Sequence, residues 1–291
     1  MNTDPLNRGF GVTPQSLEKS DIFRPLSKKV MLILPAYKSY HPITTLCIAQ
    51  LNDRRRVGML LSYDDAFVAH ARNTCAREFL KTDSEWALWI DDDMLVPCGN
   101  AAWFKAHTRW KNLPDSFAGL NAIDRLLSHG KTLVGGLYFG RHPGANAIYA
   151  EALGNQKESE FARTLRSEIK PTAWVGFGCC LTHRSVFESI VAKHPELNGQ
   201  WFSSSEHSLV SDVNVARAML ADGPMTGEKA LKAYEILEGA AKRAQVISGL
   251  GTGEDVIFCR RASGAGHQPH VDLGLVCGHI GSSCFPTGIW Q

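Results

Sequence analysis

No apolar run in this chain approaches the ~20 residues a membrane-spanning helix needs. The opening stretch, MNTDPLNRGFGVTPQSLEKSD, carries no hydrophobic signal-peptide core. The expectation is a cytoplasmic protein. Eight cysteines are present, at 47, 75, 98, 179, 180, 259, 277 and 284, but no two form a CxxC pair. That spacing argues against a zinc knuckle, and most of them lie inside apolar segments. They read as small buried hydrophobes in a reducing compartment. Strong charge of either sign is also lacking. The formal net charge is +2, so nucleic-acid binding is neither demanded nor excluded, because a local basic face can hide inside a near-neutral total. No internal repeat or low-complexity segment is present.

What is there suits an ordinary globular protein. Apolar residues make up 44% and charged residues 21% of 291, enough for one large α/β domain or two small ones. Residues 1–27 are polar and dotted with proline, and read as an extended arm. VMLILPAY, residues 30–37, is a short apolar run ended by Pro35 and reads as the first strand of a parallel sheet. A helix is expected over 43–51 and a second strand over 57–62. A helix over 66–80 carries an apolar stripe of Phe67, Ala71, Cys75 and Phe79, with Arg72 and Asn73 beside it. TDSE then turns the chain into WALWI and completes a β-α-β unit.

Beyond it the pattern predicts one or two helices in 99–130 and a strand over 131–141. In that strand, Gly135 and Gly136 would admit a ligand or a neighbouring strand. Residues 141–170 are polar and weakly periodic, which points to a functional or disordered loop. A strand over 173–183 is interrupted by Gly176 and Gly178. Helices are expected over 184–194, 211–221, 228–244 and 252–266, and a last strand over 271–281.

The stretch WALWIDDDMLVP, residues 86–97, organises the rest. Trp86–Ile90 is β-prone and apolar without a break, as in a strand buried on both faces. Asp91, Asp92 and Asp93 end it abruptly. Adjacent carboxylates repel, and are tolerable where water reaches them or a cation sits among them. Strand carboxyl ends are also where ligands bind in open α/β sheets. The alternative is a solvated turn or helix cap. Two further pieces share this placement. Glu254 and Asp255 open a helix, where the dipole favours carboxylates, and His279 ends the last strand. Carboxylates plus one imidazole make an open site for Mn²⁺ or Mg²⁺.

Two basic stretches stand apart from these. Arg54–Arg56 reads as a solvated loop end or a phosphate contact. Trp103, Phe104 and Trp110 interleave with Lys105, His107, Arg109 and Lys111. This is either a helix with an apolar and a wet side, or a face that stacks bases and meets phosphates.

Taken in order, the first strand VMLILPAY, ARN at 71–73, LWIDDDM, WVGFGCCLTHRSVF, GED at 253–255 and GHIG at 278–281 resemble GT-A fold glycosyltransferases that use nucleotide sugars. The likeness is to soluble, family-2-like members of phage or bacterial type, and it spans residues 28–281. It implies a Rossmann-like, mostly parallel central sheet flanked by helices, in a single domain. Residues 28–140 would form the nucleotide-sugar half and 141–291 an irregular acceptor-binding and catalytic half. It implies a divalent metal, Mn²⁺ or Mg²⁺, ligated by Asp93 and His279 with Asp91 as a further candidate. The donor, a UDP-sugar by preference, would meet Pro35, Ala36, Tyr37, Arg72, Asp91 and Asp92. Asp255 would be the general base of an inverting transfer, with Glu254 as understudy. Trp174, Gly176, Phe177 and Gly178 would face the acceptor.

The chain departs from the family's processive members, because the ED pair is followed by RRAS and not by QxxRW. With no apolar run long enough to span a membrane and with cysteines that read as reduced, the expected acceptor is cytoplasmic, in the host cytoplasm if the chain is phage-encoded. A hydroxymethylated pyrimidine in DNA is one candidate, which would require base flipping. A surface saccharide or a protein is another. Nucleotidyl transfer to make a nucleotide sugar remains a further alternative, although Tyr37–Pro42 lacks the glycines of that class.

Overall fold

The computed structural model describes residues 30–36, 40–51, 57–62, 68–108, 111–140, 167–197, 199–203, 213, 215–223, 226–247 and 253–280, with the backbone alone for 57–62, 196 and 240–247. The expected N-terminal arm, Tyr37, Arg54–Arg56, Phe67, Arg109, Trp110 and most of the 141–170 stretch lie outside these residues.

The first half follows the expected alternation. Strand β1 (Val30–Pro35) leads to α1 (Pro42–Leu51), β2 (Val57–Ser62), α2 (Val68–Lys81) and β3 (Trp86–Ile90), followed by the short β4 (Met94–Leu95). Three short helices replace the one or two expected: α3 (Ala101–His107), α4 (Asp115–Ala118) and α5 (Ala122–Ser128). Asn100 and Asn121 cap the first and third, each accepting backbone N–H groups of the opening turn. Strands β5 (Leu133–Leu137), β6 (Ile169–Pro171) and β7 (Cys179–His183) follow. Helices α6 (Arg184–Lys193), α7 (Gly227–Ile247) and α8 (Glu254–Gly264) come next, and then strands β8 (His270–Val276) and β9 (Gly278–His279).

Seven strands form one sheet in the order β2-β1-β3-β7-β5-β8-β6, and β4 pairs with β9 in a separate two-stranded piece. The β1–β2, β1–β3 and β5–β8 pairs are parallel. The β3–β7, β5–β7 and β6–β8 pairs are antiparallel. The expected mostly parallel sheet is thus corrected to a mixed one. Helices α1 and α2 return the chain to a common starting edge for β1, β2 and β3. The chain instead enters β7 beside the carboxyl end of β3, so β7 must run back down the sheet. Strands from the two halves of the sequence interleave, with β7 seated between β3 and β5.

Every residue of β3 is buried, as its unbroken apolar run requires. Its Trp89 joins Phe177, Phe187, Phe202 and Phe258 in a cluster of edge-to-face, tilted and stacked rings, with the Phe202 and Phe258 rings 4.5 Å apart and nearly parallel. Such ring pairs add to the area they bury. The seven described cysteines are all free and buried, as expected of small apolar groups. Gly136 is tight because of a neighbouring strand, not a ligand. A Cβ there would meet Cys277 Sγ at 2.9 Å and Leu275 at 3.1 Å.

Two polar side chains lock these layers. Arg184 donates to the carbonyls of Phe79, Leu80, Thr82 and Ser84, closing the carbonyl end of α2. Asp272, fully buried in β8, accepts from Arg125 Nε at 2.7 Å, from His129 Nε2 at 2.7 Å and from the Gly274 N–H at 2.8 Å. The last bond lies within the register break that carries β8 from Asp272 to Val276 opposite Gly136 and Leu137. Burial alone would raise the Asp272 pKa, but hydrogen bonds from Arg125 and His129 outweigh it and hold it below its usual value. A depressed carboxylate stabilises the fold above its unfolded pKa, and that contribution is lost as pH falls through the folded value. Asp272→Asn should therefore cost about 3–5 kcal/mol at pH 7 and flatten the loss of stability below pH ~4, as read by denaturant unfolding across that range.

Candidate active site

The fold explains why separated pieces meet. In the antiparallel β3–β7 pair, Ile90 lies opposite Cys179. The residue after one strand therefore adjoins the residue before the other, and the Asp91 N–H reaches the Gly178 carbonyl at 3.3 Å. The chain turns at Asp91, with the Met94 N–H on its carbonyl at 3.2 Å, and returns as β4. Its partner β9 sets Met94 opposite His279, and the Ile280 N–H bonds the Asp93 carbonyl at 2.7 Å. Gly178 is required by close approach, since a Cβ would meet Met94 Sδ and Tyr138 Cζ, each at 3.0 Å. This explains why the expected strand over 173–183 begins only at Cys179, with residues 177–178 forming a turn.

Arg72 of α2 joins three carboxylates. Its Nη1 donates to Glu254 Oε1 at 2.5 Å and to Asp255 Oδ1, and its Nη2 donates to both Asp91 oxygens at 2.9 and 3.1 Å. The Arg72 side chain is 2% exposed, against 29% for Asp91, 16% for Glu254 and 19% for Asp255. The rings of Phe177 and Phe202 lie 5.3 and 5.9 Å from its guanidinium carbon. The other Asp255 oxygen accepts the Phe177 N–H at 3.1 Å. Burial pushes the Asp255 pKa up to about 7. Arg72 opposes the shift, while the charges of Glu254 and Asp91 add to it.

A second contact faces it across the Asp91–Asp93 turn. His279 Nε2 is 3.3 Å from Asp93 Oδ2, and His279 Nδ1 is 3.1 Å from the Phe139 carbonyl. A carbonyl only accepts, so Nδ1 carries the proton. In the neutral ring the Nε2 lone pair then points at a carboxylate oxygen, an arrangement that needs a proton or a cation between them. The Tyr138 ring stands edge-on to His279 with centroids 5.6 Å apart, and its hydroxyl accepts the Gly178 N–H at 3.2 Å. Among the described residues, no three His, Cys, Asp or Glu side chains gather closely enough to hold a metal by themselves.

Pro35 ends β1 and Ala36 is buried beside it. Tyr37 lies outside the described residues. The Asp92 carbonyl accepts the His41 N–H at 2.9 Å. Phe177 is fully buried, so its ring presents no surface to an acceptor, and its backbone instead holds Asp255. Gly176 and Gly178 are buried and Trp174 partly so. In the aromatic–basic stretch, Trp103 stacks on His107, Lys105 pairs with Asp115 and Lys111 donates to the Ala106 carbonyl. Those groups are engaged locally, as in a helix with an apolar and a wet side.

Sequence reasoning passed over Tyr138, His41 and the last member of the ARN run, Asn73. Asn73 donates to the Phe202 carbonyl at 2.7 Å and accepts its N–H at 2.9 Å, pairing like a strand residue with the segment that carries the Phe202 ring. The available signal was an adjacent Arg and Asn beside the apolar stripe of a helix.

No family model and no curated protein matches this chain. Solved structures do. One is the crystal structure of A197 from STIV, at 13% identity and TM-score 0.34, covering 55% of this chain and 67% of that one. Another is the crystal structure of GalNAc-T7 with UDP, GalNAc and Mn2+, at 9% identity and TM-score 0.39, covering 88% of this chain and 44% of that one. At such TM-scores the reading of the site rests on its own geometry.

The Asp255 shift has a stability consequence with a definite sign. Its folded pKa lies above the unfolded value, so its contribution is fully present below about pH 4 and is lost as pH rises through about 7. Thermal unfolding of Asp255→Asn against the unchanged chain, from pH 4 to 8, should show a flatter decline in the variant. Parallel curves would remove the assignment.

Proposed function

We propose that this chain is a metal-dependent glycosyltransferase that moves a sugar from a nucleoside diphosphate sugar, UDP-linked by preference, to an acceptor hydroxyl. The observation that carries the reading is the convergence at one strand end of the Asp93–His279 pair and the Arg72-bound carboxylates Asp91, Glu254 and Asp255. These residues come from four stretches of sequence.

The residues fit a divalent cation as a two-ligand open site. Octahedral ligation at about 2.0–2.2 Å places neighbouring ligand atoms about 3 Å apart. The Nε2–Oδ2 separation of 3.3 Å is close to that edge. The Phe139 carbonyl fixes the tautomer that places a lone pair on Nε2. A bound Mn²⁺ or Mg²⁺ would supply charge to offset the diphosphate leaving group. The rest falls to the protein's own groups. Asp255, held by Arg72 and the Phe177 N–H, takes the proton from the acceptor hydroxyl. Its pKa of about 7 keeps it half ionised near neutrality, where a general base works best. Glu254 lies beside it on the same guanidinium nitrogen. The carboxyl end of β1, at Pro35 and Ala36, receives the nucleotide. A base on α8, across the site from the Asp93–His279 pair, suits in-line displacement with inversion.

The test is thermal unfolding with UDP-, GDP- and CMP-sugars, each with and without Mn²⁺. A preferred donor at about 100 times its Kd should raise the midpoint by about 5 °C or more, and only with metal. His279→Ala should abolish the metal requirement together with the shift. Asp255→Asn should keep the shift while turnover falls by about 10²–10⁴. No shift with any donor would refute the transferase reading.

A further inference from the structure

Arg72 occupies the position where the family likeness places a donor contact, to a phosphate or to the base. Its surroundings assign it otherwise. A guanidinium has five N–H donors. Nη1 donates to Glu254 and Asp255, and Nη2 donates to the Asp91 carboxylate, within reach of both its oxygens. The fifth, on Nε, is buried without a hydrogen-bond partner among the described residues. Phe177 and Phe202 lie against the guanidinium. At 2% exposure the group has neither a spare donor at the surface nor an open edge with which to meet a phosphate.

We propose that Arg72 is a positioning residue that yokes Asp91 to Asp255 and contacts no part of the donor, an inference that rests on the glycosyltransferase reading. The two carboxylates belong to different elements. Asp91 is set by the backbone at the end of β3, through the Gly178 carbonyl and the Met94 N–H. It therefore moves with the turn that carries Asp93. Asp255 sits in the first turn of α8, whose N-cap, Gly253, has no side chain to fix the helix start. Arg72 reaches both from α2. With one Asp255 oxygen on Arg72 and the other on the Phe177 N–H, the plane of that carboxylate is fixed relative to the strand end. Each oxygen keeps a lone pair for the acceptor proton. Displacing a catalytic group by about 1 Å can cost 10²-fold in rate, so the yoke acts on turnover and not on donor affinity. Lysine cannot replace it, since a single ammonium cannot reach Asp91 on one side and Glu254 and Asp255 on the other as two separate guanidinium nitrogens do.

Acceptor-free hydrolysis of the donor, with water as acceptor, measures turnover without knowledge of the natural acceptor. UDP with Mn²⁺, followed by calorimetry, measures affinity. Arg72→Lys should lower kcat for hydrolysis by about 100-fold while the Kd of UDP stays within about threefold. Asp91→Asn, which removes the anchor from the other side and keeps the shape of the turn, should show the same split. A tenfold rise in Kd with kcat within threefold, in either variant, would make the residue a donor contact and overturn the proposal.

Thermal unfolding without any ligand supplies an independent readout, including for a variant too unstable to assay. The Arg72→Lys/Asp91→Asn double variant should unfold within about 2 °C of the less stable single variant, because both changes break one interaction. Additive losses would overturn the yoke. If the unchanged chain neither binds nor hydrolyses any donor, the transferase reading fails, and the unfolding cycle still decides whether Arg72 couples the two carboxylates.

Discussion

A cation buried among three carboxylates sets the architecture of the candidate site. Arg72 could not be taken from water to 2% exposure without partners, because an isolated buried charge is prohibitively costly. Its partners could not be supplied by α2 alone. They come from the end of β3 and the start of α8, so burying Arg72 obliges α2, the central strand and the last helix to meet at one point. Breaking such a cluster from one side leaves uncompensated charge, at a cost of about 3–5 kcal/mol. Two aromatic rings complete the enclosure. Those rings belong to the cluster that Trp89 of β3 joins, so the polar hub and the apolar core share a wall. Burial pushes the Asp255 pKa up to about 7 despite Arg72, and the charges of Glu254 and Asp91 add to the rise, since one guanidinium faces three acids.

The direction of β7 completes the arrangement. A parallel strand in that place would have ended beside β3 and delivered its last residue to the site. The antiparallel strand delivers its preceding turn, and with it two backbone groups: the Gly178 carbonyl for Asp91 and the Phe177 N–H for Asp255. A turn supplies such groups readily because its backbone is not spent on ladder hydrogen bonds. The same logic sets β9 beside β4 and brings His279 to Asp93. The sheet is mixed, and mixing is what lets two loops enter the site from the second half of the chain.

Much of this was legible from local pattern. The unbroken run Trp86–Ile90 announced a strand buried on both faces. The order of helices followed from caps and periodicity, and Asp91, Asp93, Glu254, Asp255 and His279 stood out because acids and a histidine interrupt or end apolar runs. What could not be read was direction and partnership. Nothing in CCLTH distinguishes a strand that runs up from one that runs down, because periodicity has no sign. Arg72 was legible as a functional position but not as a buried one, since an Arg beside an apolar stripe on a helix normally reaches water. Phe177, placed toward the acceptor by resemblance, has a fully buried ring, and the Gly178 that follows it admits the Met94 and Tyr138 side chains. Asp272 was visible all along as a lone carboxylate inside VDLGLV, and a buried acid always implies a partner.

The three consecutive aspartates are therefore not one acidic patch. Side chains of neighbouring residues at a strand end diverge, and here they diverge into different electrostatic surroundings. Asp91 turns to a fixed protein cation and gives it both oxygens. Asp93 turns to an imidazole whose other nitrogen is committed to a carbonyl. Asp92 contributes its backbone carbonyl to His41. A ligand arriving as a dianion with a divalent cation would add little net charge on the Asp93 side and would leave the Arg72 cluster undisturbed. If Asp91 were a ligand of the same cation, it would have to leave Arg72, stripping two of the four terminal hydrogen bonds from a guanidinium that water cannot reach. The cost of that exchange keeps Asp91 and Asp93 on opposite sides of one turn, so a cation held at Asp93 and His279 would leave the Arg72 cluster intact.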